Sequence, residues 1–87
     1  MQVEAGVGQL RGDLILENAT RLLAEGEAAI KAGTVSFDLS GVGRMDSSAL
    51  SLLLALRRRA GGKHLKFLNV PESLISLARL YGIQEQI

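Results

Sequence analysis

The feature that most constrains the fold is a run of leucines between residues 50 and 56. Every position of this run except Ser51 holds leucine or alanine. At the period of an α-helix, such side chains surround the helix instead of forming one apolar stripe. Asp46 or Ser47 precedes the run as a capping residue, and the pair Gly61–Gly62 follows it as a terminator. The sequence therefore predicts a helix here that is the most buried helix of the fold.

Two further segments have the spacing of amphipathic helices. The first runs from about Ile15 to Lys31, and Gly33 follows it as a C-cap. The second begins near Pro71, which suits the first helical position, and stops at Gly82. Their apolar residues recur at helical intervals: Ile15, Ala19, Leu22, Leu23 and Ile30 in the first, and Leu74, Leu77, Ala78 and Tyr81 in the second. We expect each helix to bury the face that carries these residues.

The segment Thr34–Leu39 has the alternating pattern of a half-buried strand. Its apolar residues Val35, Phe37 and Leu39 are predicted to share one face of the strand. The opposite face is polar. The glycine-containing segment Gly41–Met45, which follows, is predicted to be a loop.

Two more strand regions complete an alternating order of strands and helices. Leu65–Asn69 is predicted to be a strand, and Val3–Leu10 one or two short strands broken near Gly6 and Gly8. Such alternation is typical of an α/β fold with right-handed crossovers between parallel strands. Because Thr34–Leu39 has a polar face, we expect a mixed sheet of about four strands with the helices mainly on one face. With 87 residues, the chain is predicted to form a single domain, 1–87.

The residue types that usually carry catalysis are scarce or far apart. The chain has no cysteine and a single histidine, His64, which argues against a thiol nucleophile, a disulfide or a transition-metal site. His64 begins the last predicted strand, whereas Asp46 and Ser47 follow the preceding parallel strand, so about 15 to 20 Å would separate them. A Ser-His-Asp triad needs contacts of about 3 Å. We expect a protein that is not an enzyme and that uses neither cofactor nor metal.

Charge and hydropathy limit the kinds of partner. The net charge is +1, and one Tyr, two Phe and no Trp offer few rings for stacking on nucleic-acid bases. No segment approaches the roughly 18 apolar residues of a membrane span, and the first residues lack the pattern of a signal peptide, so we expect a cytoplasmic protein. The basic run Arg57–Arg59 has two interpretations: the last turn of a helix, where cations oppose the helix dipole, or an acid-binding patch.

The most concentrated functional signal is Asp46-Ser47-Ser48, at the start of the leucine-rich helix. Such residues cap a helix by accepting hydrogen bonds from its first free backbone N–H groups. The functional alternative is that this exposed end of a rigid element is a contact point or a phosphorylation site. A phosphate on Ser47 would add about −1.5 to −2 charges beside a helix N-terminus and next to Asp46. We expect the fold to survive that charge and a docked partner to be lost.

This segment resembles the corresponding part of STAS domains, which are found in bacterial anti-sigma factor antagonists. The resemblance covers nearly the whole chain and rests on Leu10–Leu14, Asp38–Ser40 and Met45–Leu50. It implies the STAS fold and a role in binding other proteins. In the antagonists, an anti-sigma kinase phosphorylates the serine directly after the aspartate, which corresponds to Ser47. This chain has Ala49 where that family usually has glycine.

Within the STAS family, the short chain, the leucine-rich helix and the segment Leu77–Ile83 are more similar to MlaB-type subunits of Mla phospholipid ABC transporters. That resemblance implies a cytoplasmic subunit that binds the transporter's ATPase, peripheral to the inner membrane, and supports outer-membrane lipid asymmetry. The start of the last helix is expected near the contact, whose predicted residues are Arg44, Asp46, Ser47, Ser48 and Ala49. The alternative is an anti-sigma factor antagonist, whose partner is a serine kinase and which is switched by phosphorylation at Ser47.

Overall fold

Strands and helices alternate along the chain, as the sequence predicts. The computed structural model describes residues 1–61 and 64–87. The helices in these ranges are α1 (Leu16–Lys31), α2 (Ser47–Arg59) and α3 (Glu72–Leu80), followed by a 3-10 turn at Gln84–Gln86. The strands are β1 (Val3–Glu4), β2 (Val7–Gln9), β3 (Gly12–Leu14), β4 (Ser36–Asp38), β5 (Val42–Met45) and β6 (Lys66–Leu68). This arrangement confirms the predicted α/β class.

Four strands form a mixed sheet in the order β1-β2-β4-β6. β1 is antiparallel to β2, whereas β4 is parallel to both of its neighbours, β2 and β6. Gly8, Phe37 and Phe67 lie side by side across the three parallel strands. The Phe37 side chain is fully buried, and a Cβ atom at position 8 would lie 2.9 Å from its ring. Gly8, expected at a break between strands, lies within β2 instead. The position requires glycine because the Phe37 ring leaves no room for a side chain there.

The two faces of this sheet differ in exposure. On one face, Phe37 belongs to the hydrophobic core, together with buried leucines of α2 such as Leu53 and Leu56. On the other face, Lys66 and Leu68 of β6 are exposed. The helices thus lie mainly on one face of the sheet, as predicted from the polar side of the central strand.

A second, two-stranded sheet was missed by the sequence prediction. β3 and β5 are parallel neighbours, with Gly12 opposite Val42, Leu14 opposite Met45 and an irregularity between these pairs. The predicted loop Gly41–Met45 is therefore wrong, since most of it is β5. Neither strand has an alternating apolar pattern, and each is defined by its pairing with a segment about 30 residues away, which local spacing does not indicate.

The two longest helices, α1 and α2, pack side by side in parallel. Their starts are joined by a hydrogen bond from Leu16 to Asp46, the N-cap of α2. Towards their C-terminal ends, Glu27 of α1 forms an ion pair with Arg59 of α2. Between these ends, a Cβ atom at Gly26 would lie 2.4 Å from a terminal carbon of Leu56. Glycine thus allows α1 to approach α2 closely. α2 buries Ala49, Leu50, Leu52, Leu53 and Leu56, more residues than either other helix, which confirms it as the most buried helix.

The predicted faces are wrong at the beginning of the central strand. Thr34 is buried and Val35 is 55% exposed, which reverses the predicted pattern at these positions. Regular pairing begins only at Ser36. The N–H groups of Val35 and Ser36 both donate to the carbonyl oxygen of Gly6, so the chain does not yet have the regular strand geometry that alternation requires.

The helix boundaries were predicted to within a residue or two. Pro71 is the N-cap of α3 rather than its first helical residue, and Tyr81 is the C-cap. The predicted packing of Tyr81 on the apolar face is wrong, because its side chain is 62% exposed where the helix ends. Gly61 follows the end of α2 in a turn, and Gly62 lies outside the described residues.

None of the helices in the described ranges is long and apolar enough to cross a membrane.

Candidate functional site

The Asp46 carboxylate caps two helices at once. Its Oδ1 accepts a hydrogen bond from the backbone N–H of Ser48 in the first turn of α2, at 2.8 Å. Its Oδ2 accepts from the backbone N–H of Leu16, the first residue of α1, at 3.1 Å. The residue before α1, Ile15, provides no side-chain cap of its own. One side chain therefore satisfies free donors of both helices and fixes the start of α2 against the start of α1.

These hydrogen bonds favour the ionised form of Asp46. The Leu16 N–H is the largest cause of a lowered Asp46 pKa, and the Ser48 N–H and the nearby positive charge of Arg44 also lower it. Donors that bind the charged form of a carboxyl lower its pKa in this way. Asp46 is consequently a fixed negative charge beside Ser47 at neutral pH.

A second aspartate fixes the strand that leads into α2. The Oδ1 atom of Asp13, in β3, accepts a hydrogen bond from the backbone N–H of Arg44, in β5, at 2.8 Å. The backbone N–H of Asp46 then donates to the carbonyl oxygen of Leu14, at 3.2 Å. The chain before α2 is thus held by β3 on both sides of Met45. The Arg44 side chain remains exposed.

The predicted contact residues divide into exposed and buried members. Arg44, Asp46 and Ser47 are exposed, and Ser48 is half-buried. Ala49 is fully buried in the hydrophobic core. Its side chain therefore does not reach the surface, because the third residue of α2 already faces the inside of the fold.

Ser47 lies at a groove between the start of α2 and α3. The groove has a volume of about 500 Å³. It is lined by Gly43, Met45, Asp46, Ser47, Ser73, Leu74 and Leu77. Leu74 is buried and Leu77 half-buried, so the groove has an apolar floor and a polar edge. We call it the Ser47 groove. The sequence indicated the start of the last helix as a neighbour but did not single out Ser73 or Leu77, because their proximity depends on how α3 packs.

The basic run at the end of α2 is divided among three different environments. Arg57 donates to the carbonyl oxygens of Leu65 and Gln86, and its guanidinium lies 5.1 Å from the centre of the Phe67 ring. Arg59 forms an ion pair with Glu27. Arg58 is exposed and has no ion pair or side-chain hydrogen bond within the described part of the chain. The run is therefore not a single acid-binding patch.

His64, the one histidine of the sequence, does not line the Ser47 groove. His64 is exposed and precedes β6. In residues 1–61 and 64–87, no group of three or more His, Asp and Glu side chains is placed to hold a metal ion. What the site presents is a rigid helix start with a fixed negative charge, an exposed hydroxyl and a neighbouring groove.

Comparisons with known proteins give two findings. A family model described as "Mlab, STAS domain" matches residues 1–87. Among solved structures, the chain is similar to the anti-sigma factor antagonist SpoIIAA in its unphosphorylated form, with 20% sequence identity and a TM-score of 0.66. This match covers 92% of the chain and 79% of that structure, and at this level of identity it concerns the fold alone. No curated protein sequence matches the chain.

Proposed function

Because this chain belongs to the STAS domain family, we propose that it is a non-catalytic subunit that binds the ATPase of an Mla-type phospholipid ABC transporter. STAS proteins are generally binding proteins rather than enzymes. The family model that matches the whole chain is described as "Mlab, STAS domain", and this description is the reason for choosing the Mla-type role as the first proposal. In this proposal residues 1–87 act as one domain, are cytoplasmic, and reach the inner membrane only through the ATPase. Binding would support assembly or activity of the transporter that maintains outer-membrane lipid asymmetry.

The observation that carries the proposal is the rigid, exposed start of α2. Asp46 joins this start to α1, and the Asp13 carboxylate holds the preceding strand. Preorganised side chains bind with a smaller entropic cost than mobile ones. In this proposal the partner contacts the exposed Ser47 without rearrangement of the backbone.

The Ser47 groove has the composition of a contact surface. A partner side chain would pack on its apolar floor, formed by Met45, Leu74 and Leu77. Arg44 and Asp46 provide charges of opposite sign near its edge. Interfaces commonly combine such an apolar centre with a polar rim. We assign the direct contacts to Arg44, Asp46, Ser47 and Ser48, whereas Ala49 packs beneath them and keeps α2 in place.

The proposal is tested by calorimetric titration with the ATPase subunit of the same organism's Mla-type transporter. Ser47→Asp puts a second carboxylate beside Asp46 and is expected to weaken binding by at least about tenfold, because an unfavourable charge at an interface costs several kcal/mol. Ser76→Asp is the matched control, since Ser76 is an exposed serine of α3 outside the groove. Its affinity should equal that of the wild type. If the wild type does not bind the ATPase, the proposed function is wrong; if both variants bind like the wild type, the assigned surface is wrong.

A second candidate function is an anti-sigma factor antagonist switched at Ser47. The specific observation in its favour is that Ser47 is exposed, follows Asp46 directly and lies in the first turn of α2. The helix dipole would tolerate a phosphate there, and the ionised Asp46 would oppose it. Incubation with the cognate serine kinase and ATP should add the mass of one phosphoryl group at Ser47. A protein whose mass stays unchanged would exclude this candidate.

A further inference from the structure

A second groove lies on the other side of the α2 start, between α2 and α1. It has a volume of about 360 Å³ and is lined by residues that include Leu16, Ala19, Leu23, Ser51, Ala55 and Arg58. We call it the Arg58 groove. Ser48 lines this groove, whereas the adjacent Ser47 lines the first one. The two serines thus face different surfaces, because consecutive residues of a helix point in directions about 100° apart.

The Arg58 groove leaves part of its apolar lining exposed. Leu16 is 70% exposed, and Ala19, Leu23 and Ala55 are only partly buried. The small side chains Ala19 and Ala55 form a shallow, smooth part of the surface. Apolar surface that is rimmed by polar groups in this way commonly marks a site of association with another molecule.

The charge of the groove is set by Arg58. Among the described residues that line the groove, it is the one that carries a charge. Its two neighbours in the sequence are engaged within the fold, Arg57 with backbone carbonyls and Arg59 with Glu27. Arg58 has no such partner in the described part of the chain. It lies near the end of α2, so a negatively charged group would be bound at one end of the groove and apolar groups along the rest.

We propose that the Arg58 groove binds an amphipathic helix of a partner protein that places a carboxylate beside Arg58. Two parallel helices form a straight groove, and α2 alone is about 20 Å long at a rise of about 1.5 Å per residue. A third helix packs into such a groove through apolar residues at i, i+3 or i+4, and i+7. None of the residues that line this groove also lines the Ser47 groove. Ser48, at the end of the groove opposite Arg58, is the one lining residue that the proposed ATPase contact also includes, and the substitutions in the test below do not change it.

The test is an NMR titration of the ¹⁵N-labelled protein with two synthetic helical peptides. Both carry leucine at i, i+3 and i+7; one ends in glutamate at the position facing Arg58, and the other in lysine. The acidic peptide should shift the amide signals of the α1 and α2 residues that line the groove, saturably and more tightly than the basic peptide. Arg58→Glu should reverse this preference. Arg79→Glu makes the same charge change on the exposed surface of α3 and should leave the preference unchanged.

Several outcomes would overturn the proposal. Absence of saturable shifts, or shifts confined to the Ser47 groove, would mean that no helix binds here. If the wild type and Arg58→Glu prefer the acidic peptide over the basic peptide to the same extent, Arg58 does not bind the carboxylate. Saturable shifts of the same amides with decanoate but not with the peptides would identify an acyl chain as the occupant. Sedimentation as a dimer that Leu16→Glu converts to a monomer would identify a second copy of the chain.

Discussion

The Asp46 carboxylate accepts a hydrogen bond from the backbone N–H of Leu16, thirty residues earlier in the chain, at 3.1 Å. The same carboxylate caps its own helix through Ser48. The first turns of α1 and α2 are therefore joined by one charged side chain. Because the Ser47 groove and the Arg58 groove lie on either side of this junction, Asp46 contributes to the geometry of both.

Substitutions of Asp46 should separate its two capping functions. Asn retains one oxygen that can cap α2, but its amide nitrogen cannot accept from the Leu16 N–H, whereas Ala loses both acceptors. We expect the melting temperature to decrease in the order wild type, Asp46→Asn, Asp46→Ala, as measured by circular dichroism. The amide of Leu16 should exchange its hydrogen faster in both variants. Equal melting temperatures for all three proteins would contradict the double-cap interpretation.

The contribution of Asp46 to stability should depend on pH. Its pKa is lowered in the folded protein, chiefly by the Leu16 N–H, so the unfolded chain binds the proton more readily than the folded protein. The stabilisation is therefore present above the unfolded pKa of about 3.9 and is lost as the pH falls through the lower folded pKa. We expect the difference in melting temperature between wild type and Asp46→Asn to be large at pH 7 and to shrink below about pH 4. A difference that stays constant to pH 2.5 would show that charge is not involved.

Local patterns were sufficient to predict the helices and the capping residue of α2. The leucine-rich run and the Asp46-Ser47-Ser48 segment predicted the position, burial and cap of α2, because capping and helical periodicity depend on residues a few positions apart. The same holds for α1, whose bounds agree with the prediction to one residue.

Features that depend on distant residues were not predictable in this way. The pairing of β3 with β5 and the bond from Leu16 to Asp46 join segments about 30 residues apart. The Ser47 groove exists because α3 packs beside the start of α2, which brings Ser73 and Leu77 to it. The burial of Ala49 likewise follows from the direction in which α2 enters the core, not from the motif that contains it.

Gly26 should be required for the close approach of α1 and α2. A Cβ atom there would lie 2.4 Å from a terminal carbon of the fully buried Leu56. Overpacking of a core costs about 1 to 3 kcal/mol, and over most of this range the cost is larger than the roughly 1 kcal/mol that alanine gains over glycine in a helix. Gly26→Ala should therefore lower the free energy of unfolding, as measured by urea denaturation.

The Leu56→Ala background provides the control for this prediction. With the clashing carbon removed, Gly26→Ala should become neutral or stabilising by up to about 1 kcal/mol. Ala24→Gly, at an exposed position of the same helix, measures the difference in helix propensity between alanine and glycine without any contact to Leu56. If Gly26→Ala stabilises the protein in both backgrounds, the contact with Leu56 does not limit the helix separation.

Arg57 should be the residue that holds the C-terminal segment against the edge of the main sheet. β6 is an edge strand, and the Arg57 guanidinium donates both to the Leu65 carbonyl oxygen just before it, at 3.0 Å, and to the Gln86 carbonyl oxygen. It also lies over the Phe67 ring, at 5.1 Å from its centre. Lysine keeps the charge but lacks the planar fork that reaches two acceptors while stacking on a ring. Arg57→Lys is therefore expected to lower the free energy of unfolding by about 1 kcal/mol, the net contribution of one typical hydrogen bond.

The position of the effect distinguishes this role of Arg57 from a general contribution of positive charge at the end of α2. Hydrogen exchange should increase at residues 84–87 and around β6 in Arg57→Lys, because both segments lose their shared donor. Arg58→Lys, the matched control, changes an arginine that has no hydrogen bond to either segment in the described part of the chain. It should leave exchange and stability unchanged. Both variants keep the positive charge that interacts with the helix dipole. If Arg57→Lys and Arg58→Lys have the same hydrogen exchange and the same stability, the contribution of Arg57 comes from this charge and not from its contact with the C-terminal segment.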